Sequence, residues 1–94
     1  MPIDARKMSN ALARKGFERD DGRDHIWFRH KLNGKYTGPA TKMSHSARDI
    51  SGSLVSAIKK QLRLDSPRQL EDLVNCPMSS EEYIAHLRRR RVID

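Results

Sequence analysis

The chain has little of what most structural or catalytic frameworks are built from. Its one cysteine, Cys76, leaves no intrachain disulfide framework, and no Cys-x-x-Cys pair is present for a zinc site. Cys76 reads instead as a small packing residue before Pro77, in a protein suited to a reducing cytoplasm. The four histidines show no short metal-ligand spacing and no His-x-x-x-His pair, so a metal site is not expected. No apolar run approaches the ~20 residues of a membrane span, and Met1 to Lys7 lack the apolar stretch of a signal peptide. The expectation is a soluble cytoplasmic protein without a membrane partner. Ser53 and Ser56 have no nucleophile elbow around them, so a serine hydrolase is not supported. There is no internal repeat and no low-complexity tract.

What is present is charge. Of 94 residues, 33% are charged and 36% apolar, and Lys plus Arg number 19 against 12 Asp plus Glu, a formal net charge of +7. With a pI of about 10.1 and a mean hydropathy of −0.81, the balance favours a polyanionic partner: nucleic acid, an acidic protein or anionic lipid. The length is that of one domain with a small core, too short for a large enclosed catalytic cleft.

Ala5, Met8, Leu12 and Lys15 recur at helical spacing, with Asp4 as cap and Gly16 as stop, which predicts a helix over 5–15. Phe17 to Asp20 alternates weakly, Asp21-Gly22 is a turn pair, and His25 to Leu32 alternates as a strand. Asn33-Gly34 is a strong hairpin signal, with Lys35 to Thr41 returning. Residues 42–50 read as a loop. A second helix then carries Ile50, Leu54, Ala57, Ile58 and Leu62 on one face, capped by Ser51 and running to about Leu64. Ser66-Pro67-x-Gln69 opens a third helix with Leu70, Leu73 and Val74, and Ser79-x-x-Glu82 opens a last one with Tyr83, Ile84 and Leu87. The fold class is α+β, a core of a helix, three antiparallel strands and a helix over 1–64, plus a helical extension over 65–94.

Period two places Ile26, Phe28, His30 and Leu32 on the core face and His25, Trp27, Arg29 and Lys31 on the other. A two-residue turn pairs Lys31 with Tyr36, Trp27 with Ala40 and His25 with Lys42. One open face then carries His25, Trp27, Arg29, Lys31, Tyr36 and Lys42. An imidazole titrates near pH 6.5, so His25 can take a proton from a ribose 2′-hydroxyl or give one to a leaving oxygen, with Arg29 and Lys42 as phosphate contacts. His45, in a polar loop near the same edge, is a second acid/base candidate beside its plainer reading as a solvated loop histidine. His30 reads as a partly buried edge residue and His86 as a helix residue among charges. Trp27 and Tyr36 suit stacking on unpaired RNA bases, Trp27 alternatively covering core beneath a helix. Arg88 to Arg91 read equally as phosphate ligands or as a complement to a helix dipole.

A short helix ending in Gly16-Phe17, the segment Gly22-Arg23-Asp24-His25-Ile26-Trp27-Phe28, a hairpin, and a helix ending Lys60-Gln61-Leu62-Arg63-Leu64 together resemble the HicA family of toxin-antitoxin mRNA interferases, over about residues 5–64. The resemblance implies an α-β-β-β-α fold like that of a double-stranded RNA-binding domain, and a metal-independent, cofactor-free endoribonuclease acting on mRNA. It also implies a HicB-type antitoxin as partner. The family's Gly-Ser-x-His segment aligns its catalytic histidine with His25. Beside this stand two other readings, a non-catalytic nucleic-acid-binding module on the same scaffold and a protein-interaction adaptor working through the added helices. Those helices are an addition to the family core that would extend the RNA surface, mediate self-association or bind a partner.

Overall fold

The structure, a computed structural model, describes residues 3–75 and 77–94; Cys76, read from sequence as a packing residue, lies outside them. A short strand, β1 (Ile3–Asp4), leads into α1 (Ala5–Arg14), where the Asp4 carboxylate accepts the Lys7 backbone N–H at 2.9 Å. That bond satisfies one of the donors left unpaired at a helix N-terminus. Met8, Ala11 and Leu12 form the buried stripe of α1. The helix ends with Lys15 as its cap, one residue earlier than the apolar spacing suggests. Gly16 then turns the chain at φ 95°, where an added Cβ would meet His30 Nε2 at 3.4 Å, so backbone angle and packing both call for glycine.

β2 (Phe17–Asp21), β3 (His25–Leu32) and β4 (Lys35–Ser44) form an antiparallel sheet in that order. Asn33 and Gly34, at φ 53° and 80°, supply the two positive angles of a type I′ turn. Next to the turn Lys31 faces Tyr36, as its two-residue length requires. A bulge between Arg29 and Lys31 then changes the register, because these two positions of β3 span Ala40 to Tyr36 on β4. Trp27 therefore faces Lys42 rather than Ala40, and His25 faces Ser44 rather than Lys42. Gly38, at φ 117°, lies in the bulged stretch. The offset is even, so side-chain alternation survives it and Lys42 remains on the face of Trp27.

The segment 42–50, expected as a loop, is partly strand. β4 continues through Ser44, and β5 (Asp49–Ile50) pairs with β1 to set Ile3 opposite Ile50. α2 (Ser53–Gln61) begins after Gly52, with no side-chain cap from Ser51, and ends before Leu64. Its buried stripe is Val55, Ile58 and Leu62, while Leu54 and Ala57, placed in the core by spacing, are exposed. The stripe is rotated because α2 packs on both β4 and the next helix, α3 (Pro67–Asn75). At the start of α3, Ser66 Oγ accepts the Gln69 N–H, but the Gln69 side chain reaches the Asp65 N–H instead of closing the box on Ser66. α4 (Ser80–Arg89) has the full reciprocal box between Ser79 and Glu82.

All four helices serve one core. The inward residues of the sheet, Phe17, Ile26, Phe28, His30, Thr41 and Met43, are buried, and the same apolar cluster continues through Leu70, Leu73, Val74, Tyr83 and Leu87. The Tyr83 ring lies 5.6 Å from Phe17 and 5.1 Å from His30, and its hydroxyl donates to the Leu62 carbonyl at 2.7 Å. Lys15, buried at the end of α1, donates from its ammonium to the carbonyls of Leu73 and Met78, where α3 ends. The result is a small α+β fold with a three-stranded antiparallel sheet and four helices.

Two helices finish in the same way. After α2 the Leu64 N–H donates to the Lys59 carbonyl and the Arg63 N–H to Lys60; after α4 the Val92 N–H donates to Leu87 and the Arg91 N–H to Arg88. These are Schellman closures whose left-handed residue is arginine, Arg63 at φ 63° and Arg91 at φ 58°. A left-handed backbone costs a non-glycine residue about 1–2 kcal/mol, partly offset by the extra unfolded-state freedom of glycine. Arg63→Gly and Arg91→Gly are each expected to stabilise the fold by about 0.5–1 kcal/mol. A higher urea midpoint at unchanged m-value is the expected reading, and a lower midpoint would contradict it.

Candidate nucleic-acid interface

The outward residues of the sheet form a single surface. Trp27 is half-buried, and two cations lie against its ring: the Arg29 guanidinium carbon at 4.9 Å and Lys42 Nζ at 5.6 Å from the centroid. Beside them Lys31 Nζ sits 4.9 Å from the centroid of the Tyr36 ring, which is 58% exposed. Five of the six residues assigned to the open face from sequence are thus in contact with another member of the set. His25, at the first position of β3, shares this face by alternation.

Sequence reading missed the acids on the same surface. Phe17 faces inward opposite His30, so Glu18 and Asp20 must face outward, opposite Arg29 and Trp27. Glu18 accepts from Lys31 Nζ at 2.9 Å and from the Tyr36 hydroxyl, and Asp20 pairs with Arg29 at 3.0 Å. The bonds from Tyr36 and Lys31 hold the Glu18 carboxyl below its ordinary value, and Glu18 in turn raises both Tyr36 and Lys31. The weak alternation of β2, read together with its inward Phe17, contained the signal for this.

The two candidate acid/base histidines are not brought together. Met43 points inward and His45 follows it onto the helix side, where His45 Nε2 donates to the Gly22 carbonyl at 2.7 Å. His45 therefore fastens the turn between β2 and β3. It borders an open cleft of about 220 Å³ with Arg6, Asn10 and Arg19. Arg19 is held there by Asp21 at 2.7 Å, and this bond lowers the Asp21 carboxyl. His25 lines the other face. Its backbone carbonyl accepts the Gly22 N–H at 2.9 Å, fixing the strand end from which its ring projects.

The remaining histidines are structural, and more deeply so than their positions suggested. His30 is 1% exposed rather than partly buried, and His86 is 2% exposed rather than lying among charges. His86 Nε2 donates to the Arg63 carbonyl at 2.7 Å. The Thr37 hydroxyl donates to the His30 carbonyl, so its oxygen takes the proton of His30 Nδ1 at 2.6 Å, and His30 Nε2 is left buried without a partner. Among the described residues no cluster of His, Cys, Asp and Glu could hold a metal ion, and no helix is long and apolar enough to cross a membrane.

Burial lowers the His30 pKa from its ordinary value, because a proton on Nε2 would place an unpartnered charge in the core. The unfolded chain then binds this proton more tightly than the folded one. The stabilisation is fully present above the unfolded value of about 6.5 and is lost as pH falls through the lower folded value. Unfolding titrations from about pH 7.5 to 5 should show a shallower loss of stability in His30→Gln than in wild type. Parallel profiles would remove His30 as the source.

No family model, no curated protein and no solved structure matches the chain.

Proposed function

We propose that the chain is an RNA-binding endoribonuclease, an mRNA interferase of the HicA kind, which lays a single strand across the open face of the sheet and uses His25 for proton transfer without a metal. The observation that supports this best is the juxtaposition on the outward face of the sheet of Trp27, its two ring-bound cations and His25. An unpaired base can stack on the indole in place of a cation, while Arg29 and Lys42 turn to the phosphate beside it. At that phosphate His25 takes the proton of the 2′-hydroxyl as its oxygen attacks phosphorus, or gives one to the departing oxygen. The cations offset the charge that builds on the phosphoryl oxygens. Apart from the two-residue strands β1 and β5, the order α1, β2, β3, β4, α2 supports the α-β-β-β-α scaffold that the resemblance implies. A HicB-type antitoxin seated on the Trp27 face would block the site directly.

A second reading, a non-catalytic RNA-binding module on the same scaffold, is favoured by one observation. His45 is tied to Gly22 on the helix side, so His25 has no second histidine to complete an acid/base pair.

Incubation of a long single-stranded RNA with the purified protein in excess EDTA separates the two. The interferase reading expects cleavage by wild type, none by His25→Ala, and near-wild-type cleavage by His45→Ala. Trp27 is the chain's one tryptophan, so quenching of its fluorescence on RNA addition reports the face directly. Quenching without cleavage would leave the binding module, and neither signal would end both readings.

Glu18 occupies Lys31 and Tyr36 on this face, so Glu18→Gln should tighten RNA binding and steepen its salt dependence by about 0.7 in the log–log slope, one added phosphate contact. Unchanged affinity would mean that RNA does not reach Lys31.

A further inference from the structure

We infer that the junction between the ends of α2 and α4 is a second RNA contact, an arginine-built surface for the phosphodiester backbone on the helix side of the molecule. The inference rests on the RNA-binding reading above and adds a separate surface to it.

The first ground is where the excess charge lies. On the sheet face Arg29 and Lys31 are neutralised by Asp20 and Glu18. At the junction, Lys59, Lys60 and Arg63 end one helix and Arg88 to Arg91 end the other, seven cations against the two acids Asp65 and Asp94. The side chains of His86 and Arg90 both donate to the Arg63 carbonyl, at 2.7 and 2.6 Å, which brings the two helix ends together.

The second ground is that helix capping accounts for Arg90 and not for Arg63, Arg89 or Arg91. The carbonyls at the end of α2 are already satisfied by the Schellman bonds, by His86 and by Arg90, and Arg90 also pairs with Asp65 at 3.3 Å. Arg88 is engaged with the Asp94 carbonyl at 3.1 Å. Arg63, Arg89 and Arg91 are exposed, and among the described residues their side chains make no hydrogen bond or ion pair. Two of these three, Arg63 and Arg91, stand at the left-handed positions where glycine is the stable residue. Backbone strain held at two exposed, unpaired cations, at the ends of two helices that meet, points to a use for the cations themselves.

The third ground selects the partner. Among the described residues the large exposed apolar side chains are Tyr36, on the sheet, and Leu54, in the first turn of α2; neither belongs to the junction, and Val92 and Ile93 pack against the core. A surface of guanidinium groups without an apolar anchor suits a ladder of phosphates, which needs charge and bidentate donors and nothing more. A protein groove or a bilayer would call for exposed apolar side chains as well.

The test is binding of a labelled oligouridylate by fluorescence anisotropy across a KCl series, with wild type, the double variant Arg63→Gly/Arg91→Gly and the charge-retaining pair Arg63→Lys/Arg91→Lys. The glycine variant should lose about 1.4 from the log–log salt slope, two phosphate contacts on a single strand, while its unfolding midpoint rises. The lysine variant should keep the wild-type slope. Since the glycine variant is the more stable protein, weaker binding by it does not come from unfolding. An unchanged slope in the glycine variant, with Trp27 quenching and RNA cleavage retained, overturns this surface and leaves the sheet-face reading standing. Loss of binding to phosphatidylglycerol vesicles without any change in the RNA slope overturns it in favour of a membrane contact. Absence of all RNA binding by wild type overturns both.

Discussion

The fold depends on the burial of one aromatic residue, Tyr83. Its ring closes a cluster with Phe17 and His30, which joins the last helix to the first and middle strands of the sheet. Burial pushes its hydroxyl well above the ordinary tyrosine range, so the group stays a neutral donor to the Leu62 carbonyl. The bond itself nets about 1 kcal/mol, but an unpaired carbonyl in that place would cost about 1–3 kcal/mol, and the second figure decides that the contact is kept. Leu62 is the end of α2, so fixing it fixes Arg63 next door, whose carbonyl is then within reach of His86 and Arg90. Lys15 does the matching work at the other end, joining α1 to the end of α3. The buried residues of α3 and α4 are thus part of the same core as the rest, on the inward side of the sheet, opposite the face that carries Trp27.

That open face is basic in composition but locally balanced. Glu18 and Asp20 hold Lys31, Tyr36 and Arg29 in a fixed array. Exposed ion pairs of this kind contribute little to stability, because water and salt screen them. A polyanion releasing counterions along several phosphates exceeds that easily. On the RNA-binding reading proposed above, the acids position the cations more than they block them, keeping guanidinium and ammonium groups against the aromatic rings. They also bear on the identity of the partner, since a strand that reaches Lys31 must displace a carboxylate to do so.

Much of this was legible from local signals. Asp4, Asn33-Gly34 and the Ser79–Glu82 box each act within a few residues, through a backbone angle or a cap, and each formed as its chemistry requires. The open-face residue set survived a wrong register because the bulge moved β4 by an even number; an odd one would have turned Lys42 inward. Pro39, which has no N–H to offer the ladder, was the available sign of that bulge. What was not legible depends on distant partners. The pairing of β1 with β5 joins two-residue strands far apart in sequence, with too few side chains for any period to show. The stripe of α2 turned toward Val55 because α3 lies beside it. His30 and His86 became interior residues only once Tyr83 and the Arg63 carbonyl were in place. His45 looked like a partner for His25 by sequence distance, and strand alternation at Met43 sent it to the other side.

The distribution of charge ties these points together. A domain of this size is stable by about 5–14 kcal/mol, at roughly 0.05–0.15 kcal/mol per residue, so strain near 1 kcal/mol at each of two helix ends is a noticeable fraction of the whole. Arginine at those ends does nothing for the core, because both side chains lie outside it, and nothing for the caps, because the carbonyls are already bonded. The same backbone turn that makes Arg63 and Arg91 unfavourable also throws their side chains outward from the ends of two helices held together by His86 and Arg90. Placing cations there, on segments fixed by Tyr83 rather than on a free tail, gives a surface whose geometry is set before any ligand arrives. Charge carried on a fixed backbone loses less chain freedom on binding than a disordered basic tail does. A rigid extension is therefore the physically sensible way to attach such a surface to a core whose sheet face has nearly balanced its own charge.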